Sequence, residues 1–158
     1  MRIRPFQPSD LESVLDLWLS ANLSAHAFLP ASYWTSHREA VGELLPQAEV
    51  WVCQGANGAL LGFAGLTGAY LSGRFVAEGF RSQGVGRALL NHVKARHARL
   101  TLHVYRKNCG ALRFYRREGF RLQAEEREAA TGEPEFLLAW EAPPEAVPLS
   151  DRVPSPTP

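Results

Sequence analysis

Apolar positions along the chain recur at two spacings, and the switches between them divide it into elements. A short strand at Arg2–Phe6 comes first, followed by a 3.6-residue periodicity in which Leu11, Val14, Leu15 and Trp18 share one face. Ser9-Asp-Leu-Glu12 has the form of a capping box, so a helix is expected over about 11–21. Ser24 to Pro30 reads as a loop, and a second helix should run from Ala31 to Leu45, ended by Pro46. Val50–Cys53 and Leu60–Leu66 read as strands joined through Asn57-Gly58, a hairpin signal. Ala69–Val76 is a further strand.

The second half alternates between the two periods. A helix is expected from Gly84 to Arg96, then a strand at Leu100–Tyr105 with Leu100, Leu102 and Val104 on one face. Asn108 should cap a helix from Cys109 to Glu118, stopped by Gly119. Phe120–Ala124 and Phe136–Trp140 make a terminal strand pair. From Ala142 the chain holds six prolines and no apolar periodicity, so 142–158 is expected to be an extended or disordered appendage to a single domain over 1–141.

Composition narrows the class. The 158 residues are 46% hydrophobic and 21% charged, with no apolar run approaching the ~20 residues of a membrane span. The N-terminus lacks the apolar stretch of a signal peptide, so a cytoplasmic protein is expected. Cys53 and Cys109 are too few for a disulfide framework and have no metal-ligand spacing, so no metal is expected.

Charge changes the picture more. Arg81 to Arg121 holds eleven Lys and Arg and one acid, Glu118, a window of +10 within a chain of net +1. The rest of the chain is therefore −9. A polyanionic ligand on the basic half is one explanation, and a well-solvated helix pair is the other.

The window opens on Phe75-Val-Ala-Glu-Gly-Phe-Arg-Ser-Gln-Gly-Val-Gly-Arg-Ala-Leu-Leu90, an apolar strand leading through a glycine turn into an amphipathic helix. Without a Cβ, Gly84 and Gly86 allow strained turn angles and close approach of a ligand to the main chain. The unpartnered N–H groups of the next helix then face any anion there. A P-loop would need Gly-Lys-Ser/Thr where Gly86-Arg87-Ala88 stands, and a dinucleotide fingerprint would need a third glycine at Leu89.

Strand, Arg81-x-x-Gly84-x-Gly86, helix, strand, then Asn108-x-x-Ala111-x-x-Phe114-Tyr115-x-x-x-Gly119-Phe120, resembles the GNAT superfamily of N-acetyltransferases over residues 1 to about 141. With Trp18, His26-x-Phe28 and Tyr33-Trp34 the chain is similar to its small bacterial YiaC/YjaB type. The resemblance implies an α/β fold whose mixed sheet of six or seven strands splays between the strand ending at Val76 and the one starting at Leu100. It implies acetyl-CoA as co-substrate, its pyrophosphate on the amides around Gln83 to Arg87 (with Arg81, Ser82, Gly84, Val85 and Gly86) and its thioester beside Phe75 and Val76. Asn108 and Ala111 would flank the pantetheine, and Tyr115 would stand at the sulfur.

The implied reaction is acetyl transfer to a primary amine, a protein lysine or N-terminus being favoured over the alternative of a small-molecule amine, with no part for nucleic acid or membrane, in a monomer or homodimer. A non-catalytic acyl-CoA-binding module is the alternative. Direct attack by the amine fits, since no nucleophile–base pair is evident in the sequence. A Tyr115 hydroxyl reaching the sulfur could protonate the leaving thiolate. It could equally be a core aromatic. His103 stands where several relatives have a Glu proposed as general base, and an imidazole, with its reference pKa of ~6.5, can do the same work; a half-buried polar residue is the other possibility. Pro is common in relatives where Glu78 stands here. His26, Phe28, Tyr33 and Tyr70 are candidates to line the acceptor side, His26 being as well suited to a structural role.

Overall fold

The computed structural model describes residues 1–144, so all but the first three residues of the proline-rich segment lie outside it. Seven strands form one mixed sheet: β1 (Arg2–Pro5), β2 (Glu49–Gln54), β3 (Leu60–Thr67), β4 (Tyr70–Val76), β5 (Arg99–Tyr105), β6 (Arg121–Arg127) and β7 (Pro134–Glu141). Four helices accompany it: α1 (Leu11–Ala25), α2 (Ala31–Leu44), α3 (Val85–Lys94) and α4 (Cys109–Arg117). The strand order is β1-β2-β3-β4-β5-β7-β6, with every neighbouring pair antiparallel except β4 and β5.

That one parallel pair decides the shape of the site. β4 and β5 share a single register position, Tyr70 opposite Thr101, supported by the Thr101 N–H donating to the Ala69 carbonyl at 3.0 Å. Beyond it β4 continues with β3 and β5 with β7, so the sheet opens into a V whose closed end is Tyr70 and whose mouth is Val76. The expected splay is therefore present.

Two apolar layers hold the V open. On one face Leu100, Leu102 and Val104 of β5 pack with Val85, Leu89, Leu90 and Val93 of α3. On the other, Val14, Leu15, Trp18 and Trp34 of α1 and α2 pack on Val50, Val52 and Phe63. Burying each such aliphatic side chain is worth about 1.5–3 kcal/mol, which fixes the strand faces. The sheet is thus covered on both sides.

Two sequence expectations are corrected. The capping box sits two residues earlier than Ser9–Glu12: Asp10 Oδ2 accepts the Gln7 N–H at 2.7 Å, because Pro8 opens a 3-10 turn there and Arg4 fixes Asp10 with bonds of 2.8 and 2.9 Å. Helix α1 also runs on to Ala25 through the start of the expected 24–30 loop. Buried Asn22 allows this by donating its amide to the Trp18 carbonyl at 2.9 Å instead of leaving it unpaired in the core. The Gly58 turn, the Asn108 cap and the Gly119 stop fall where expected, with φ of 86° and 94° at the two glycines. Cys53 is buried and Cys109 exposed in the first turn of α4. No helix among the described residues is long and apolar enough to cross a membrane.

Candidate active site

The mouth of the V is a cleft of about 680 Å³ between the β4–α3 turn, the start of α4 and the end of α1. Its floor is built by backbone that only special residues tolerate. Gly79 (φ 89°), Ser82 (φ 70°) and Gly84 (φ 81°) all take left-handed angles, which wind residues 79–84 into a tight turn ahead of α3. The first helical bond after Gly84 is Ala88 N–H to Gly84 O at 2.9 Å, so the amides of Val85, Gly86 and Arg87 form the unpaired first turn. These amides, with the positive end of the helix dipole, form an anion cradle.

Gly84 and Gly86 serve differently. A Cβ on Gly84 would meet nothing within 4 Å, so its requirement is the angle alone. Gly86 lies within α3, and a Cβ there would meet Arg74 Nη1 at 2.7 Å. Its requirement is a close approach by a side chain of the protein itself.

Charge in space is more selective than charge along the sequence. Arg81, Arg87 and Arg117 line the cleft, as does Arg74 from outside the basic window. Glu118, with a side chain only 8% exposed, lies 3.6 Å from Arg87 and 4.0 Å from Arg117. Other bases of the window point away: Arg106 pairs with Glu125 and Lys107 with Glu133. The cleft is thus cationic through four arginines, partly offset by one carboxylate.

Across the cleft a hydrogen-bonded chain joins α1 to α4. Asn108 Oδ1 accepts the Ala111 N–H at 3.2 Å, its amide donates to His26 Nε2 at 3.1 Å, and His26 Nδ1 donates to Asn22 Oδ1 at 2.9 Å. The two asparagines, each with its oxygen and nitrogen already assigned, leave His26 only the neutral Nδ1–H form. Burial pushes its pKa down to about 4 in agreement. His26 stacks on Trp34, with centroids 5.3 Å apart, and meets Phe28 and Tyr105 edge-on, so it pins the cleft and cannot readily titrate.

Of the residues singled out from the sequence, Phe75, Val76, Arg81, Ser82, Gly84, Gly86, Arg87, Asn108, Ala111 and His26 line the cleft. Gln83 turns its side chain to the Gly79 carbonyl at 3.1 Å, and Val85 is buried in the core. Tyr115 does not line the cleft. Its ring is buried between Phe114 and Phe120, and the Arg74 guanidinium, 3.6 Å from the Phe114 centroid and 5.5 Å from that of Tyr115, lies over both. The helical spacing from Asn108 to Tyr115 could not reveal a cover supplied by β4. Burial raises the Tyr115 pKa, and the neighbouring guanidinium opposes that rise.

Tyr70 and His103 meet elsewhere, near the closed end of the V, whereas Phe28 and Tyr33 stand beside Tyr105, at the opening end of β5 on its α1/α2 face. Tyr70 Oη lies 2.8 Å from His103 Nδ1, and His103 Nε2 lies 2.9 Å from Glu126 Oε2. Glu135 stands beside them, a carboxylate oxygen lying within 4.8 Å of a His103 ring nitrogen and a Glu126 oxygen, with its pKa raised by burial. Tyr105 donates to Glu128 at 2.6 Å, and Phe28 packs edge-on against Tyr105 at 5.4 Å. Asn22, Arg74, Phe114 and Arg117 were not among the site residues read from the sequence, since they reach the cleft from three separate elements, α1, β4 and α4.

Comparison with known proteins agrees with this geometry. Residues 46–122 match the model of the acetyltransferase (GNAT) domain. The chain is 36% identical over 140 residues to the peptidyl-lysine N-acetyltransferase YiaC of Escherichia coli K12, covering 87% of this chain and 95% of that protein. It is 30% identical over 136 residues to the peptidyl-lysine N-acetyltransferase YjaB of the same organism, covering 86% and 92%. The solution structure of apo YjaB from Escherichia coli superposes with a TM-score of 0.77 at 28% identity, over 87% of this chain and 95% of that one. With its split sheet, glycine turn and asparagine-capped fourth helix, this chain belongs to the GNAT family of N-acetyltransferases.

Proposed function

We propose that the protein transfers the acetyl group of acetyl-CoA to the side-chain amine of a protein lysine by direct attack. The observation that carries this reading is the V itself, which has an anion cradle at its mouth and, near its closed end, a phenol and an imidazole joined to a carboxylate. A donor with a diphosphate at one end and a reactive thioester at the other needs both. Peptidyl-lysine is the acceptor named for the similar YiaC and YjaB proteins, and Glu126, Glu128 and Glu135 supply a negative lining suited to a cation.

The amides of Val85, Gly86 and Arg87 hold the diphosphate, assisted by Arg81, Arg87 and Arg117. Asn108 and Ala111 flank the pantetheine arm, and Phe75 and Val76 line its other side. His103 takes the proton of the acceptor ammonium. The amine nitrogen then bonds to the thioester carbon, the C–S bond breaks, the sulfur receives a proton from Tyr115, and the proton that the nitrogen sheds on becoming an amide restores the phenol. The raised pKa of this phenol keeps it protonated at neutral pH, as an acid must be. Arg74 moves off the Tyr115 ring to admit the sulfur and stands beside the developing thiolate.

An acceptor screen tests this. Purified protein is given acetyl-CoA with lysine peptides, N-terminal peptides or small polyamines, and thiol release is followed together with acetylated product. Lysine peptides should give the highest kcat/KM. Thiol release confined to small amines would replace the acceptor class, and none with any amine would remove the enzymatic reading.

A further inference from the structure

Tyr70 and His103 occupy the one point where β4 and β5 still touch, two residues along β5 from the Thr101 register position. Their rings are 5.6 Å apart, with the phenol oxygen 2.8 Å from Nδ1. Glu126 reaches the other ring nitrogen from β6, across β7, at 2.9 Å. This side-chain cluster links three strands at the end of the V towards which an acyl group would point.

With a neutral imidazole the hydrogens of this cluster have one consistent arrangement. A carboxylate only accepts, so Nε2–H donates to Glu126, and Nδ1 presents its lone pair. The Tyr70 hydroxyl has one proton, and it donates that proton to Nδ1. Its oxygen lone pairs are then free to accept. The Tyr70 residue is 36% exposed, whereas the neighbouring Tyr105 hydroxyl already donates to Glu128.

We propose that Tyr70, His103 and Glu126 form a proton relay in which Tyr70 Oη contacts the acceptor ammonium, His103 receives the proton and Glu126 positions the imidazole. This rests on the reading of the protein as an amine acetyltransferase. In the relay, one N–H bond of the ammonium breaks as its proton passes to Tyr70 Oη, and the phenol proton passes to Nδ1. The products are a neutral amine, an unchanged phenol and an imidazolium held by Glu126. Tyr70 is then a catalytic residue and Glu126 a positioning residue. Burial and the negative charges of Glu135, Glu128 and Glu126 raise the Tyr70 pKa, so the phenol shuttles a proton without resting as phenolate. Around His103 the titratable groups are Tyr70 from β4, Glu126 from β6, Glu128 just after it, Glu135 from β7, Tyr105 from β5 itself and Tyr33 from α2.

The test is the pH dependence of kcat with a saturating lysine peptide, for wild type, Tyr70→Phe and Glu126→Gln. Wild type should level off well below ~10.4, the reference pKa of a lysine amine. Tyr70→Phe should lose about 100-fold at neutral pH, and its rate should keep rising towards the pKa of the amine. Glu126→Gln should lose about tenfold, with the ascending limb moved to lower pH because the imidazolium has lost its carboxylate. Acetyl-CoA affinity should stay within a few-fold in both, which also shows that they fold; if Tyr70→Phe does not fold, the Glu126→Gln limb decides. Profiles that superpose on wild type overturn the relay while leaving the acetyltransferase intact. A wild type that binds acetyl-CoA but acetylates no amine overturns both.

Discussion

The Arg74 guanidinium carbon lies 3.6 Å from the centre of the Phe114 ring, and its Nη1 occupies the space a side chain on Gly86 would need, so one arginine bridges β4, α3 and α4 inside the split. Its Nε is buried with no hydrogen-bond partner among the described residues, and the Phe114 face lies against the cation. An anion arriving in the cleft gives the guanidinium a better partner. Replacing Arg74 by Met keeps the stem and removes the charge. Single-turnover transfer should slow by about 10–100-fold while CoA affinity changes less than tenfold. An unchanged rate would show that the guanidinium plays no part in the chemistry.

Gly84 is needed for its angle. With φ at 81° and no atom within 4 Å of a built Cβ, Gly84→Ala should cost about 1–2 kcal/mol through backbone strain and create no clash. The same strain tilts the first amides of α3, so CoA affinity should fall by about tenfold or more. Calorimetry with CoA beside urea unfolding separates the two effects, and an unchanged CoA affinity would place the anion elsewhere.

Tyr115→Phe retains the ring packed between Phe114 and Phe120, so the melting temperature should change little. Loss of the acid should lower kcat by about 100-fold with the acetyl-CoA dissociation constant within a few-fold of wild type. If single-turnover transfer runs at the wild-type rate, the buried phenol is a packing group only.

These three residues show what one chain of letters reveals and what it hides. Alternation in Leu100-Thr-Leu-His-Val-Tyr105 identifies the buried face of β5, and Asn108 and Gly119 bound α4, because periodicity and caps are local. Arg74 was hidden. On an ordinary strand its position would be one more alternating charge, and only the absence of a hydrogen-bonded neighbour on that side of β4 turns it inward. The contact of Glu126 with His103 was hidden too, since it depends on β7 lying between β5 and β6. The +10 window was legible as a number yet misleading as a surface, because Arg106 and Lys107 are paired at the far strands.

His26 gives the cleft a pH-dependent stability. Its folded pKa of about 4 lies below the ordinary 6.5, so the unfolded chain binds the proton more readily. The stability it contributes is full above about pH 6.5 and is lost as pH falls towards 4. His26→Gln cannot titrate. Between about pH 7 and 4.5 wild type should therefore lose roughly 1–2 kcal/mol more than the variant in urea unfolding. Parallel losses in the two proteins would show that His26 does not carry the effect.

The central claim is direct transfer of acetyl from the thioester to an amine, with no acetylated enzyme between them. Rapid mixing of excess protein with acetyl-CoA carrying a labelled acetyl group, with and without a lysine peptide, tests it most directly. With peptide, thiol release and labelled peptide should appear at one common rate. Without it, neither free thiol nor labelled protein should form on that timescale. A burst of thiol with label on the protein before the acceptor is added would contradict direct attack.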